Sequence, residues 1–118
     1  SKFPSELSGG QKKRVSLAMA VASGRKTMLL DEPLSSLDIG LKFRIYEVLK
    51  KVFGSDGKTV VMVTHDPDEA LTLADEIIVI GGNGVKYRKK ISAPVSDRDI
   101  TGEECNEIRK ELINIFKA

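Results

Sequence analysis

The chain has a single cysteine, Cys105, and no apolar run long enough to cross a bilayer. One thiol excludes an internal disulfide and suits a reducing compartment. A spanning helix needs about 20 consecutive apolar residues, so any membrane role has to come through a partner, and no signal segment is visible. An excess of one charge is also lacking: 19 Lys and Arg against 17 Asp and Glu leave a net charge of +2. The basic residues are spread rather than massed, and nucleic-acid binding is not indicated. Lys12-Lys13-Arg14 and the segment Lys86 to Lys90 read as solvated faces. At 118 residues the chain is one domain at most.

A further absence concerns glycine spacing. Nowhere does Gly-x-x-x-x-Gly-Lys-Ser/Thr occur, the loop whose backbone N–H groups and lysine cradle phosphates. Lys12 and Lys58 lie near glycines without that frame. What is present is an ordered series. Leu7-Ser8-Gly9-Gly10-Gln11 opens a helical segment. An apolar run then ends in Asp31-Glu32-Pro33, Ser35-Ser36-Leu37-Asp38 follows at once, and Thr64-His65-Asp66 succeeds the β-type run Thr59 to Val63. Each piece alone has an ordinary reading as a cap, a turn or a strand end. Four in this order point to nucleotide chemistry. With a start at Ser1 and no phosphate loop, the expectation is the C-terminal part of a larger nucleotide-handling domain.

The elements place these pieces. Ser8 caps a helix expected from about Gln11 to Ala22. Thr27 to Leu30 reads as a buried strand between Gly24 and Pro33. Asp38 caps a helix to about Phe53, with Leu41, Ile45, Val48 and Val52 as its apolar stripe and Gly54 as its stop. Thr59 to Thr64 is a β-branched strand. Asp66-Pro67 caps and opens a helix to near Ala74, with Asp68 and Glu69 in the first turn. Ile77 to Ile80 is expected as a third buried strand, reversed by Gly81-Gly82-Asn83-Gly84 into Val85 to Arg88. Ile91 to Asp99 reads as a Pro-containing linker. Thr101 and Glu104 are expected to form a capping box for a last helix with Cys105, Ile108, Leu112 and Ile115 on one face. Packing on its own domain is the favoured reading of that stripe, and a partner groove the alternative.

Strands separated by helices predict an α/β fold with a mostly parallel sheet and flanking helices. In such sheets ligands bind beyond the carboxyl ends of the strands, where Asp31, Glu32 and His65 are expected to meet. Phosphoanhydride cleavage needs a magnesium ion, charge compensation and a positioned water. Asp31 suits the magnesium, Glu32 the polarisation of water, and His65 the γ-phosphate or that water. Gly9 and Gly10 expose N–H groups at a helix start, where an anion is favoured.

These motifs resemble those of ABC-type ATPases over about Phe3 to Ile80. Leu7 to Gln11 resembles the signature motif, Thr27 to Glu32 the Walker B strand, Ser35 to Asp38 the D-loop, and His65 the switch histidine. The resemblance implies a partial P-loop NTPase fold without the Walker A strand. It implies ATP and Mg2+ as cofactors and a head-to-tail pairing with a second ATP-binding subunit. Ser8, Gly9, Gly10 and Gln11 would then act on the partner's nucleotide, Asp31, Glu32 and His65 on their own, and Asp38 would couple the two sites. The stretch from Thr64 to Asp75 is similar to importer ATP-binding subunits, and the tail to the nitrate, sulfonate and taurine branch. This implies transmembrane permease partners and a cytoplasmic position on the inner face of the membrane.

Met19 stands where the family usually has arginine, and Arg25-Lys26 where it commonly has proline. In the family the phosphate-loop strand lies between the strand ending at His65 and Ile77 to Ile80. The expectation for this chain alone is therefore a gapped sheet whose edges stay open, rearrange or swap. Residues 1–90 are expected to carry the motifs and 91–118 the linker and terminal amphipathic helix. Two alternatives are a catalytically silent truncated fragment and a soluble ABC ATPase without transport.

Overall fold

The structure is a computed structural model that describes residues 17–54 and 57–117. The chain divides between His65 and Asp66 into two compact units.

In the first unit, helix α1 covers residues 17–22. The N–H of Ser23 donates to the Met19 carbonyl at 3.0 Å, and Gly24 leaves the helix with φ at +66°. Strand β1, Thr27–Asp31, pairs in parallel with β2, Thr59–Val63, from Thr27 opposite Thr59 to Asp31 opposite Val63. Helix α2, Ile39–Phe53, connects them, as a parallel pair requires. The expected cap is in place, with Asp38 Oδ1 accepting from the Leu41 N–H at 2.9 Å. Gly54 ends the helix by donating to the Lys50 carbonyl.

The buried face of α2 differs from the expected stripe. Tyr46 and Leu49 are its buried residues, whereas Val48 is 58% exposed. The face is rotated by roughly one residue step, about 100° at 3.6 residues per turn. Tyr46 explains the shift: its large ring buries and meets Phe43 edge-on at 5.9 Å, outweighing a valine in apolar area.

The second unit opens with α3, Pro67–Leu73, capped by Asp66 Oδ1 on the Asp68 N–H at 2.9 Å. β3, Glu76–Gly81, turns through Gly82 and Asn83 into β4, Gly84–Lys90. The pair is antiparallel, with a register shift between Val79 and Ile80. A 3-10 turn, Val95–Asp97, precedes α4, Glu103–Lys117. Leu71, Ile77, Ile91, Cys105, Ile108 and Leu112 form one buried cluster. The stripe of α4 thus packs within its own unit. Burial there raises the pKa of the Cys105 thiol, keeping it protonated and inert.

The fold is α/β, and β3 does not pair with β1 or β2, in keeping with the expected gap in the sheet; among the described residues the sheets are β1–β2 and β3–β4. Two expectations change here. β3 is not buried on both faces, since Ile77 is buried while Ile78 and Ile80 are exposed. The capping box does not form. Helix α4 begins at Glu103, so Thr101 stands one position too early to cap it, and both its N–H and Oγ1–H donate to Asp99 Oδ1. Glu104 instead accepts from the Ser92 and Ala93 N–H groups at 2.9 and 3.3 Å. Those bonds, Ser92 foremost, hold its carboxyl below the ordinary value.

Arg98 ties this unit together from the linker. Its Nη1 donates to the Leu71 and Ala74 carbonyls at 2.6 and 2.8 Å, and its Nε and Nη2 both reach the Ala93 carbonyl. Only 7% of the residue is exposed, and burial lowers its pKa.

Candidate functional site

β1 and β2 end side by side, because a parallel pair in this register sends both carboxyl ends the same way. Asp31 is the last residue of β1 and is exposed. Glu32 follows, and its N–H donates to the Val63 carbonyl at 2.7 Å, extending the ladder by one bond. The chain then turns sharply on the buried Pro33 and Leu34. The Ser35 N–H and Oγ–H both donate to the Glu32 carbonyl, at 3.3 and 3.2 Å.

Glu32 adopts φ at +46° and Ser36 φ at +72°, a region that L residues avoid. A residue before proline is normally driven to extended backbone. Glu32 departs from that rule, and the departure aims its side chain at the end of β2.

There it meets His65, whose Nδ1–H donates to Glu32 Oε1. The carboxylate can only accept, so Nδ1 is the protonated, donating nitrogen of this contact. The His65 side chain is 87% exposed and that of Glu32 34%. An exposed ion pair of this kind adds little stability. Its value lies in accessibility: an exposed imidazole holds a carboxylate, and the exposed Asp31 is the residue before it.

The structure therefore brings Glu32 and His65 into direct contact, with Asp31 on the residue before. The meeting of Glu32 and His65 is the one expected from the strand ends, whereas the positive φ of Glu32 is not signalled by the sequence. Asp38 is committed to capping α2, and a Cβ on Gly40 would lie 3.5 Å from its Oδ1. Ser8, Gly9, Gly10 and Gln11 lie outside the described residues. No group of three or more His, Cys, Asp or Glu side chains converges on a metal position among the described residues. Asp31 nevertheless offers the donor that magnesium takes when water and phosphate oxygens complete its shell: one accessible carboxylate.

The family profile described as ABC transporter matches residues 1–35. The chain is 35% identical over 111 residues to a taurine import ATP-binding protein of Chromobacterium violaceum, a span of 94% of this chain and 42% of that protein. It is 38% identical over 114 residues to an aliphatic sulfonates import ATP-binding protein of Shouchella clausii, spanning 97% of this chain and 46% of that protein. Among solved structures it is similar to the dimeric post-hydrolysis state of the ATP-binding cassette MJ0796 bound to ADP and Pi. That likeness has 39% identity and a TM-score of 0.68 over 76% of this chain and 38% of the other. The chain thus spans less than half the length of each of these relatives.

Proposed function

This chain is a portion of an ABC transporter ATP-binding domain, and we propose that in such a domain it supplies the hydrolytic side of the ATP site for an importer. Glu32 orients and polarises the attacking water, and His65 holds Glu32 in place and contacts the water or the γ-phosphate. Asp31 holds Mg2+ through its water shell, and the metal supplies charge compensation for the phosphates. The contact between Glu32 and His65 at the paired strand ends carries this reading.

The remaining assignments rest on likeness. Ser8, Gly9, Gly10 and Gln11 act on the nucleotide of a second ATP-binding subunit, paired head to tail, and Asp38 couples the two sites through the start of α2. The dimeric, ADP- and Pi-bound state of the structural neighbour supports such pairing. The import subunits among the relatives support transmembrane permease partners and a place on the cytoplasmic face of the membrane. No helix among the described residues is long and apolar enough to cross a membrane. Residues 1–90 carry the site, and 91–118 carry the linker and terminal helix, with Arg98 donating to the Leu71 and Ala74 carbonyls.

The test is Glu32→Gln in the chain placed within a complete ATP-binding domain. Gln keeps an acceptor oxygen but not the base, so nucleotide binding persists while turnover falls by roughly 10²–10⁴-fold, the usual contribution of a general base. Unchanged turnover overturns the assignment.

A further inference from the structure

The turn between β3 and β4 carries a chemistry that nucleotide hydrolysis does not use. Asn83 is followed directly by Gly84, it is exposed, and its side chain is engaged by no hydrogen bond among the described residues. Gly84 has φ at +117°, and a Cβ built on it or on Gly82 would meet nothing within 4 Å. Space is open beside the glycines on both sides of Asn83.

We infer that Asn83-Gly84 is a site of spontaneous deamidation and isoaspartate formation in the folded chain. The Gly84 backbone nitrogen attacks Asn83 Cγ and loses its proton. The Cγ–Nδ2 bond breaks, ammonia leaves, and a five-membered imide closes in the open space around the turn. Solvent water then opens the ring. Addition at Cγ breaks the Cγ–N bond and yields Asp; addition at the backbone carbonyl breaks that carbon's bond to nitrogen and leaves Gly84 joined through Cγ, as isoaspartate. No oxidant or reductant is required.

The isoaspartate product has a structural consequence. It adds a methylene to the main chain inside a two-residue turn, so the closing pair of Gly81 and Gly84 loses its register. Either product also adds a carboxylate to the turn in which the Lys86 stem lies over Gly81.

The other two asparagines serve as internal controls, since Asn106 and Asn114 both lie in α4 and precede Glu107 and Ile115. Asn106 is further held by Thr101 and Arg109. Trypsin releases Thr59 to Lys86 as one peptide in which Asn83 is the sole amide side chain.

The folded chain is incubated at mildly alkaline pH, digested and weighed. The expected result is replacement of NH2 by OH in that peptide alone, methylation of the product by an isoaspartyl methyltransferase, and neither change in Asn83→Gln. Conversion that occurs only after unfolding in urea overturns the inference, because the native turn then protects the site. So does equal conversion at Asn106 and Asn114, or a mass change that survives Asn83→Gln.

Discussion

At Glu32 backbone conformation and side-chain chemistry pull in opposite directions. An L residue in the left-handed region costs about 1–2 kcal/mol, and Glu32 sits there at φ +46° in front of a proline. The sequence made Asp31, Glu32 and His65 legible, because carboxylates after an apolar run and an imidazole after the next one fall at strand ends by simple counting. The torsion was not legible, since the rule for residues before proline predicts extended backbone. Glu32→Gly separates the two terms. Glycine removes the steric cost and loses about 0.5–1 kcal/mol to backbone entropy, leaving the variant equal to the parent or up to about 1.5 kcal/mol more stable. Urea unfolding monitored at the β1–β2 pair is expected to show an unchanged or raised midpoint, while hydrolysis by the complete domain is lost. A clearly lowered midpoint would mean that the contact with His65 stabilises the fold more than the torsion strains it.

Caps show at the scale of elements why some local signals survive folding and others do not. Asp38 and Asp66 both cap as expected, because each has an N–H of the coming helix two or three residues ahead. Thr101 and Glu104 have the spacing of a capping box but lose their partners to Asp99 and to the linker amides. Those competitors are set by tertiary contact and leave no mark in the spacing. Arg98 is the larger omission: a single arginine in a linker gives no sign that it will close the carbonyls of Leu71, Ala74 and Ala93. Replacing it with methionine preserves stem volume and strands three acceptors. A loss of about 2–4 kcal/mol follows from unsatisfied buried groups and the missing charge-assisted bonds. Amide exchange at Ala70, Ala74 and across α4 is the measurement, and Arg98→Lys should recover only part, since one ammonium cannot span the same fork. Protection unchanged in Arg98→Met would show that the buried cluster alone holds α3.

For the whole chain, pattern predicts pairing where connection length leaves one choice. β1 and β2 flank a 15-residue helix and pair in parallel, as a crossover demands. β3 pairs antiparallel with β4 across a two-residue turn, a connection of small loop-closure cost. The same arithmetic bears on nucleotide binding. On the proposed reading Glu32, His65 and Asp31 act on a γ-phosphate that something else must hold, and the N–H cradle and lysine that usually do so have no counterpart in the 118 residues. Carboxylates repel a polyphosphate unless magnesium intervenes, so on that reading these residues contribute catalysis without affinity. Calorimetric titration of the chain with ATP and magnesium is expected to show no saturable binding tighter than about 1 mM, a level worth only about −4 kcal/mol. Micromolar saturation would place a phosphate grip within this chain, and the division between a holding half and a hydrolysing half would fail.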